Sequence, residues 1–162
     1  MEKHLLEKEF TALVEEHQRI IYKVCYIYAE NKEHLSDLYQ ETVFNLWKSF
    51  PNFRYESKVS TWVYRIALNT CLSLFRRFSR KPKILPLTSI LDIMEEDNAT
   101  TELLQELYLR INRLNDLEKA LILLYLEEKS YQEIANITGL TITNVATKLN
   151  RTKDKLKKMS NL

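Results

Sequence analysis

Between Thr143 and Lys158 the chain carries a pattern suited to holding a polyanion. Lys148, Arg151, Lys153, Lys155, Lys157 and Lys158 are opposed only by Asp154 over this stretch. A row of cations like this can neutralise phosphates along a groove. Thr143, Asn144, Thr147 and Lys148, near the start of the run, bear hydroxyls, an amide and an ammonium that can reach base edges, and Arg151 extends the set. A lysine-rich terminal helix is also a solvated face that suits the helix dipole. Catalytic chemistry finds less support. His4, His17 and His34 have no ligand-like neighbours, the acidic residues form no persuasive metal cluster, and no glycine-rich phosphate loop is present. The expectation is a binding protein, not an enzyme, with no cofactor and no metal.

The segment in front of the basic run decides how its residues are aimed. Ser130 and Glu133 have capping-box spacing, which predicts a short helix from Tyr131 to about Ile137. Gly139 is the single glycine in 162 residues, where average usage of about 7% would supply roughly eleven. It stands where the chain must reverse through a positive φ that a side chain resists. Thr141 or Thr143 can cap the basic helix that follows, and Ile134, Ala135, Leu140 and Val145 are placed to seal two helices crossing through a short turn. This is a helix-turn-helix pattern, and with capping box, glycine turn and basic helix in register it favours DNA binding over a merely solvated face.

Upstream, a helix over Leu5–Ala29 is marked by Phe10, Leu13, Val14, Ile20, Ile21, Val24, Cys25 and Tyr28 at three-and-four spacing. A polar break with Asn31 as cap leads into a second helix ending near Phe50 at Pro51, and "PNFRYESK" reads as a loop. A third helix begins near Ser57 to Ser60 and runs to the basic "RRFSRK". Two prolines and an acidic cluster in "KPKILPLTSILDIMEEDNAT" predict a linker. Helices resume near Thr101, and Asp116 is placed to cap the next one, "LEKALILLYLEE".

Composition agrees with an all-α fold of two small helical domains. The chain is 45% hydrophobic, with one glycine and three prolines, which disfavours turn-rich β architecture. A net charge of +2 says little by itself, so charge distribution carries the argument. Cys25 and Cys71 each lie among apolar residues, which predicts buried thiols and not a disulfide or metal pair. The N-terminus is too charged for a signal peptide, and no apolar run approaches the roughly 18 residues of a membrane span. A soluble cytoplasmic protein without membrane insertion is expected.

The whole chain resembles the bacterial sigma factors of the extracytoplasmic-function (ECF) group, over about residues 10 to 158. "LSDLYQETVFNLWKSF" resembles the segment by which that family grips the polymerase clamp. "VSTWVYRIALNTCLSLFRR" resembles its W-x-x-R-I-A-x-N segment for melting and reading the minus-ten element, and the helix-turn-helix resembles its minus-thirty-five reader. The resemblance implies a promoter-specificity subunit of RNA polymerase, with region 2 over residues 1–80, a linker over 81–100 and region 4 over 101–162. Its implied partners are core RNA polymerase, promoter DNA both duplex and melted, and an anti-sigma factor. It assigns polymerase binding to Asp37, Gln40, Glu41 and Trp47, the polar three forming an exposed acidic and amide-bearing face. It assigns minus-ten binding to Phe53, Arg54, Tyr55, Lys58, Arg65, Asn69, Arg76 and Arg77. Arginines suit phosphates, an amide suits an exposed base, and loop aromatics suit an unstacked base. Trp62 shares an apolar stripe with Ile66 and is expected in the core. It assigns minus-thirty-five binding to Thr143, Asn144, Thr147, Lys148 and Arg151. The family often has Gly-Thr where this chain has Thr143-Asn144, and Lys-Ser-Arg where it has Ala146-Thr147-Lys148, so an altered promoter element is expected. A stand-alone helix-turn-helix regulator is the alternative, but it would need a dimerisation or effector domain where residues 1–80 carry a basic-aromatic set of their own.

Overall fold

A computed structural model describes residues 2–78 and 102–160. The described residues form helices and their connections without a strand, in two compact units. In the first unit, α1 spans Glu2–Tyr28, α2 Lys32–Ser49 and α3 Val59–Phe78, with a 3-10 turn over Phe50–Asn52. In the second, α4 spans Glu102–Ile111, α5 Asp116–Leu126, α6 Tyr131–Thr138 and α7 Ile142–Ser160. The expected linker over 81–100 lies outside the described residues.

The first unit is held by an apolar seam among three helices. Ile21, Val24, Cys25 and Tyr28 of α1 are buried against Leu35, Leu38 and Leu46 of α2 and Val63, Tyr64, Ala67 and Cys71 of α3. Burying each large aliphatic side chain here contributes roughly 1.5–3 kcal/mol. Asn31 caps α2, its side chain accepting from the His34 amide at 2.8 Å. Pro51 ends α2 as expected, the last residue of the helix being Ser49. The proline sits inside the 3-10 turn, where its missing amide costs no hydrogen bond. The two cysteines, 46 residues apart, meet with sulfurs 4.0 Å apart as free buried thiols. Burial first, then the contact with Cys25, pushes the Cys71 thiol well above its ordinary pKa. A ladder of aromatic rings runs along one side: Trp47 on Phe10 at 5.1 Å, Phe10 on Phe50 at 5.4 Å, and Phe50 on Trp62 at 6.3 Å.

In the second unit, the nearly uniform apolar run Ala120–Leu124 of α5 is buried against Ile134 and Ile137 of α6 and Val145 and Leu149 of α7. One sequence expectation is corrected here. Asn115, not Asp116, caps α5: its side chain accepts from the Glu118 amide at 2.9 Å while Glu118 Oε1 accepts from the Asn115 amide at 3.0 Å. The reason is spacing. Asn115 has a glutamate three residues on to complete the box, whereas Asp116 has Lys119 there.

Candidate nucleic-acid interface

The turn between α6 and α7 is built from side chains that saturate helix ends. Ser130 Oγ accepts from the Glu133 amide at 3.1 Å, and the hydroxyl lies 3.2 Å from Glu133 Oε1. Gly139 ends α6 at φ 81°, its amide donating to Ala135 O at 2.9 Å. A Cβ built on Gly139 meets nothing within 4 Å. The glycine is therefore there for its backbone conformation and not to make room. Of the two threonines that could open α7, Thr141 does so, accepting from the Asn144 amide at 3.1 Å. Thr143 is left exposed at the start of the helix.

With α7 anchored by the fully buried Val145, Leu149 and Thr152, its other side carries the candidate readers. Thr143, Asn144, Thr147 and Arg151 are exposed, and Lys148 is half-buried. Positions 144, 148, 151 and 155 follow one another at three-and-four spacing, so the amide and the cations form a single stripe. Lys153 and Lys155 are among the lysines of the basic run that are engaged within the unit. Lys153 Nζ lies 3.8 Å from the centre of the Tyr125 ring, and Lys155 Nζ lies 2.6 Å from Glu118 Oε2. Nothing in the local sequence signals either contact, because both partners lie on α5.

In the first unit, the loop before α3 presents an aromatic stack. The Phe53 ring stacks on Trp62 at 4.5 Å and 27°, and Tyr55 lies 4.5 Å from Phe53. Trp62 is buried as expected, and so is Tyr64. Tyr55 is 63% exposed and holds φ 58°, a left-handed conformation rare for a bulky residue. Arg54 and Lys58 flank it in solvent, Asn69 is exposed on α3, and Arg65 is half-buried. Arg76 and Arg77 fall on the last turns of α3, with side chains outside the described residues.

The outer face of α2 differs from the sequence expectation. Asp37 is not part of an exposed acidic face but is only 8% accessible. Helix geometry turns it inward beside His34, whose pKa burial lowers while Glu30 and Asp37 act the other way. Gln40 remains exposed, its amide donating to Ser36 Oγ at 3.0 Å, and Glu41 is half-buried. Trp47 is half-buried on Phe10. Sequence reasoning overlooked Phe44, which is 51% exposed with Lys48 Nζ 4.8 Å from its ring centre. The signal was available: a phenylalanine stands between Gln40 and Lys48 at four-residue steps, on the polar side of the helix.

Comparison with known proteins agrees in both units. The family model for sigma-70 region 2 matches residues 13–81, and that for sigma-70 region 4 matches residues 104–156. The RNA polymerase sigma factor YlaC of Bacillus subtilis is 33% identical over 133 residues, 78% of this chain and 77% of YlaC. The ECF RNA polymerase sigma factor SigW of the same species is 27% identical over 92% of this chain and 87% of SigW. The chain belongs to the ECF sigma factors. SigG of Mycobacterium tuberculosis, also an ECF sigma factor, is 35% identical over 74 residues, and the match spans 20% of SigG's length. Among solved structures, the sigma factor RpoE of Bartonella quintana, crystallised with the anti-sigma factor NepR, shares the fold. It superposes with a TM-score of 0.73 at 19% identity, over 96% of this sigma factor and 98% of RpoE. Sigma factors are promoter-recognition subunits and not enzymes. Among the described residues of this one, no helix is long and apolar enough to cross a membrane.

Proposed function

We propose that this sigma factor directs transcription initiation as a dissociable specificity subunit of RNA polymerase. Residues 1–80 dock on core polymerase and hold melted minus-ten DNA, residues 101–162 read duplex minus-thirty-five DNA, and residues 81–100 link them. The observation that supports this best is the pairing of two different nucleic-acid surfaces in one chain of this family. One is an aromatic loop with exposed Arg54, Tyr55 and Lys58, suited to an unstacked base. The other is a capped helix offering Thr143, Asn144, Thr147, Lys148 and Arg151 to a major groove. Melting is driven by binding: a surface that captures extruded bases shifts the duplex toward its open form without any chemical step.

Polymerase docking is assigned to the outer face of α2, through Gln40 and Glu41 with Phe44 and Lys48 added, Trp47 supporting the helix from Phe10, and Asp37 acting from within. Arg65, Asn69, Arg76 and Arg77 are assigned to the minus-ten strand beside Phe53. The site of action is the cytoplasm, and the regulating partner is an anti-sigma factor, as in the RpoE–NepR complex. Reconstitution with core polymerase and a promoter library, scored for transcription starts, tests the reading. Specific starts that depend on the added chain are expected. A chain that fails to bind core polymerase, or that binds promoter duplex equally well without it, would replace this reading with a stand-alone regulator.

A further inference from the structure

The contact between α5 and α7 carries a consequence for how the basic helix meets DNA. Glu118 is held on both oxygens. Its Oε1 accepts the Asn115 amide at 3.0 Å, completing the cap of α5, and its Oε2 lies 2.6 Å from Lys155 Nζ. The carboxylate side chain is only 13% accessible, while the lysine side chain is 55% accessible. The two partners are thus unequal: the acceptor is fixed by the helix cap, and the donor is the mobile end of an exposed stem. Lys155 also continues the stripe of Asn144, Lys148 and Arg151, so a phosphate along that stripe and Glu118 compete for the same ammonium.

We propose that Glu118 withholds Lys155 from DNA, so that the basic helix engages phosphate with fewer cations than its sequence supplies and a larger share of its binding comes from base contacts. The inference rests on the DNA-reading role assigned to α7. A surface ion pair is ordinarily weak, but this one has an acceptor already ordered by a backbone hydrogen bond, so forming it costs little beyond the lysine's own freedom. Partial burial pushes the Glu118 pKa up, yet the Lys155 hydrogen bond, the Asn115 amide and the charges of Lys155 and Lys148 outweigh it and hold the carboxyl below its ordinary range. It is therefore ionised at neutral pH. The consequence is a specificity device: each phosphate contact strengthens binding to every sequence alike, and removing one lowers the non-specific background.

The test is the salt dependence of binding by the full chain to a random-sequence duplex, read by fluorescence anisotropy. Each phosphate contact contributes about 0.9 to the slope of log K against log salt. Lys155→Ala is expected to leave the wild-type slope unchanged, because that lysine is already engaged. Glu118→Gln keeps an acceptor for the Asn115 amide but loses the ion pair, and its slope is expected to steepen by about 0.9. Over a fourfold change in salt that is a further three- to fourfold loss of affinity. The double variant Glu118→Gln/Lys155→Ala is expected to return to the wild-type slope. A shallower slope in Lys155→Ala, or a steepening that persists in the double variant, overturns the proposal. Should Glu118→Gln fail to fold by circular dichroism, the Lys155→Ala comparison decides alone. A wild-type chain that binds duplex neither alone nor in the holoenzyme would remove the DNA-reading role of α7 and this inference with it. Duplex binding with an altered Lys155→Ala slope removes only the inference.

Discussion

At the scale of single residues, two positive-φ positions have opposite meanings. Gly139 at φ 81° has open space around its absent side chain, so Gly139→Ala meets no clash and pays only for the left-handed backbone, about 1–2 kcal/mol. Urea denaturation of the chain should show that loss, with Gly139→Asn losing distinctly less because asparagine tolerates the conformation. Equal losses would show that something other than backbone conformation is at work. Tyr55 holds φ 58° with a bulky, exposed ring, a strained arrangement accompanied by a tilted ring contact with Phe53, 4.5 Å between centroids at 52°. Replacing Tyr55 by glycine relieves the strain, so stability should hold or rise while promoter opening, followed by permanganate footprinting, falls. Strain retained at an exposed residue fits a binding role better than a packing one.

At the scale of elements, helix ends and one ion pair set how α7 stands on α5. Asn115→Ala removes an acceptor from the Glu118 amide and should destabilise the carboxy-terminal unit by about 1 kcal/mol. The Glu118 carboxyl has its pKa depressed in the folded unit, because the Lys155 hydrogen bond, the Asn115 amide and the Lys155 and Lys148 charges overcome partial burial, which acts upward. A depressed carboxyl contributes stability that is complete above its unfolded pKa and lost as pH falls through the folded value. Thermal denaturation should therefore show stability declining below the ordinary glutamate range, and Glu118→Gln should flatten that decline. A decline of the same size in Glu118→Gln would assign the acid sensitivity to other carboxylates.

At the scale of the whole molecule, the two units are expected to be separable in function. Asn144→Ala with Lys148→Ala should weaken use of the upstream promoter element by tenfold or more, since a good base contact is worth about 1–3 kcal/mol, while core polymerase is bound as before. Phe44→Ala, on the exposed face of α2, should do the reverse: weaker holoenzyme assembly in a pull-down, with duplex binding by the free chain unchanged. Loss of both activities in either variant would mean that the division of labour between the units is wrong.

Much of this arrangement was legible from local pattern. Helical periodicity, the Asn31 cap, the Ser130 cap and the glycine turn depend on residues within a few positions of one another, and such interactions form wherever the chain folds locally. The sulfur contact between Cys25 and Cys71, the Phe53–Trp62 stack and the Glu118–Lys155 pair required helices to meet in space. The inward turn of Asp37 was hidden for a related reason. A carboxylate on an amphipathic helix reads as solvent-facing until the packing of neighbouring helices shows which side is covered. The sequence by itself determined the element types, their caps and the basic composition of the reading helix, because those follow from short-range chemistry. Only the tertiary structure decided which of its cations are already engaged: Lys153 is on Tyr125 and Lys155 on Glu118, because a long flexible side chain takes its partner from whatever surface folding brings beside it.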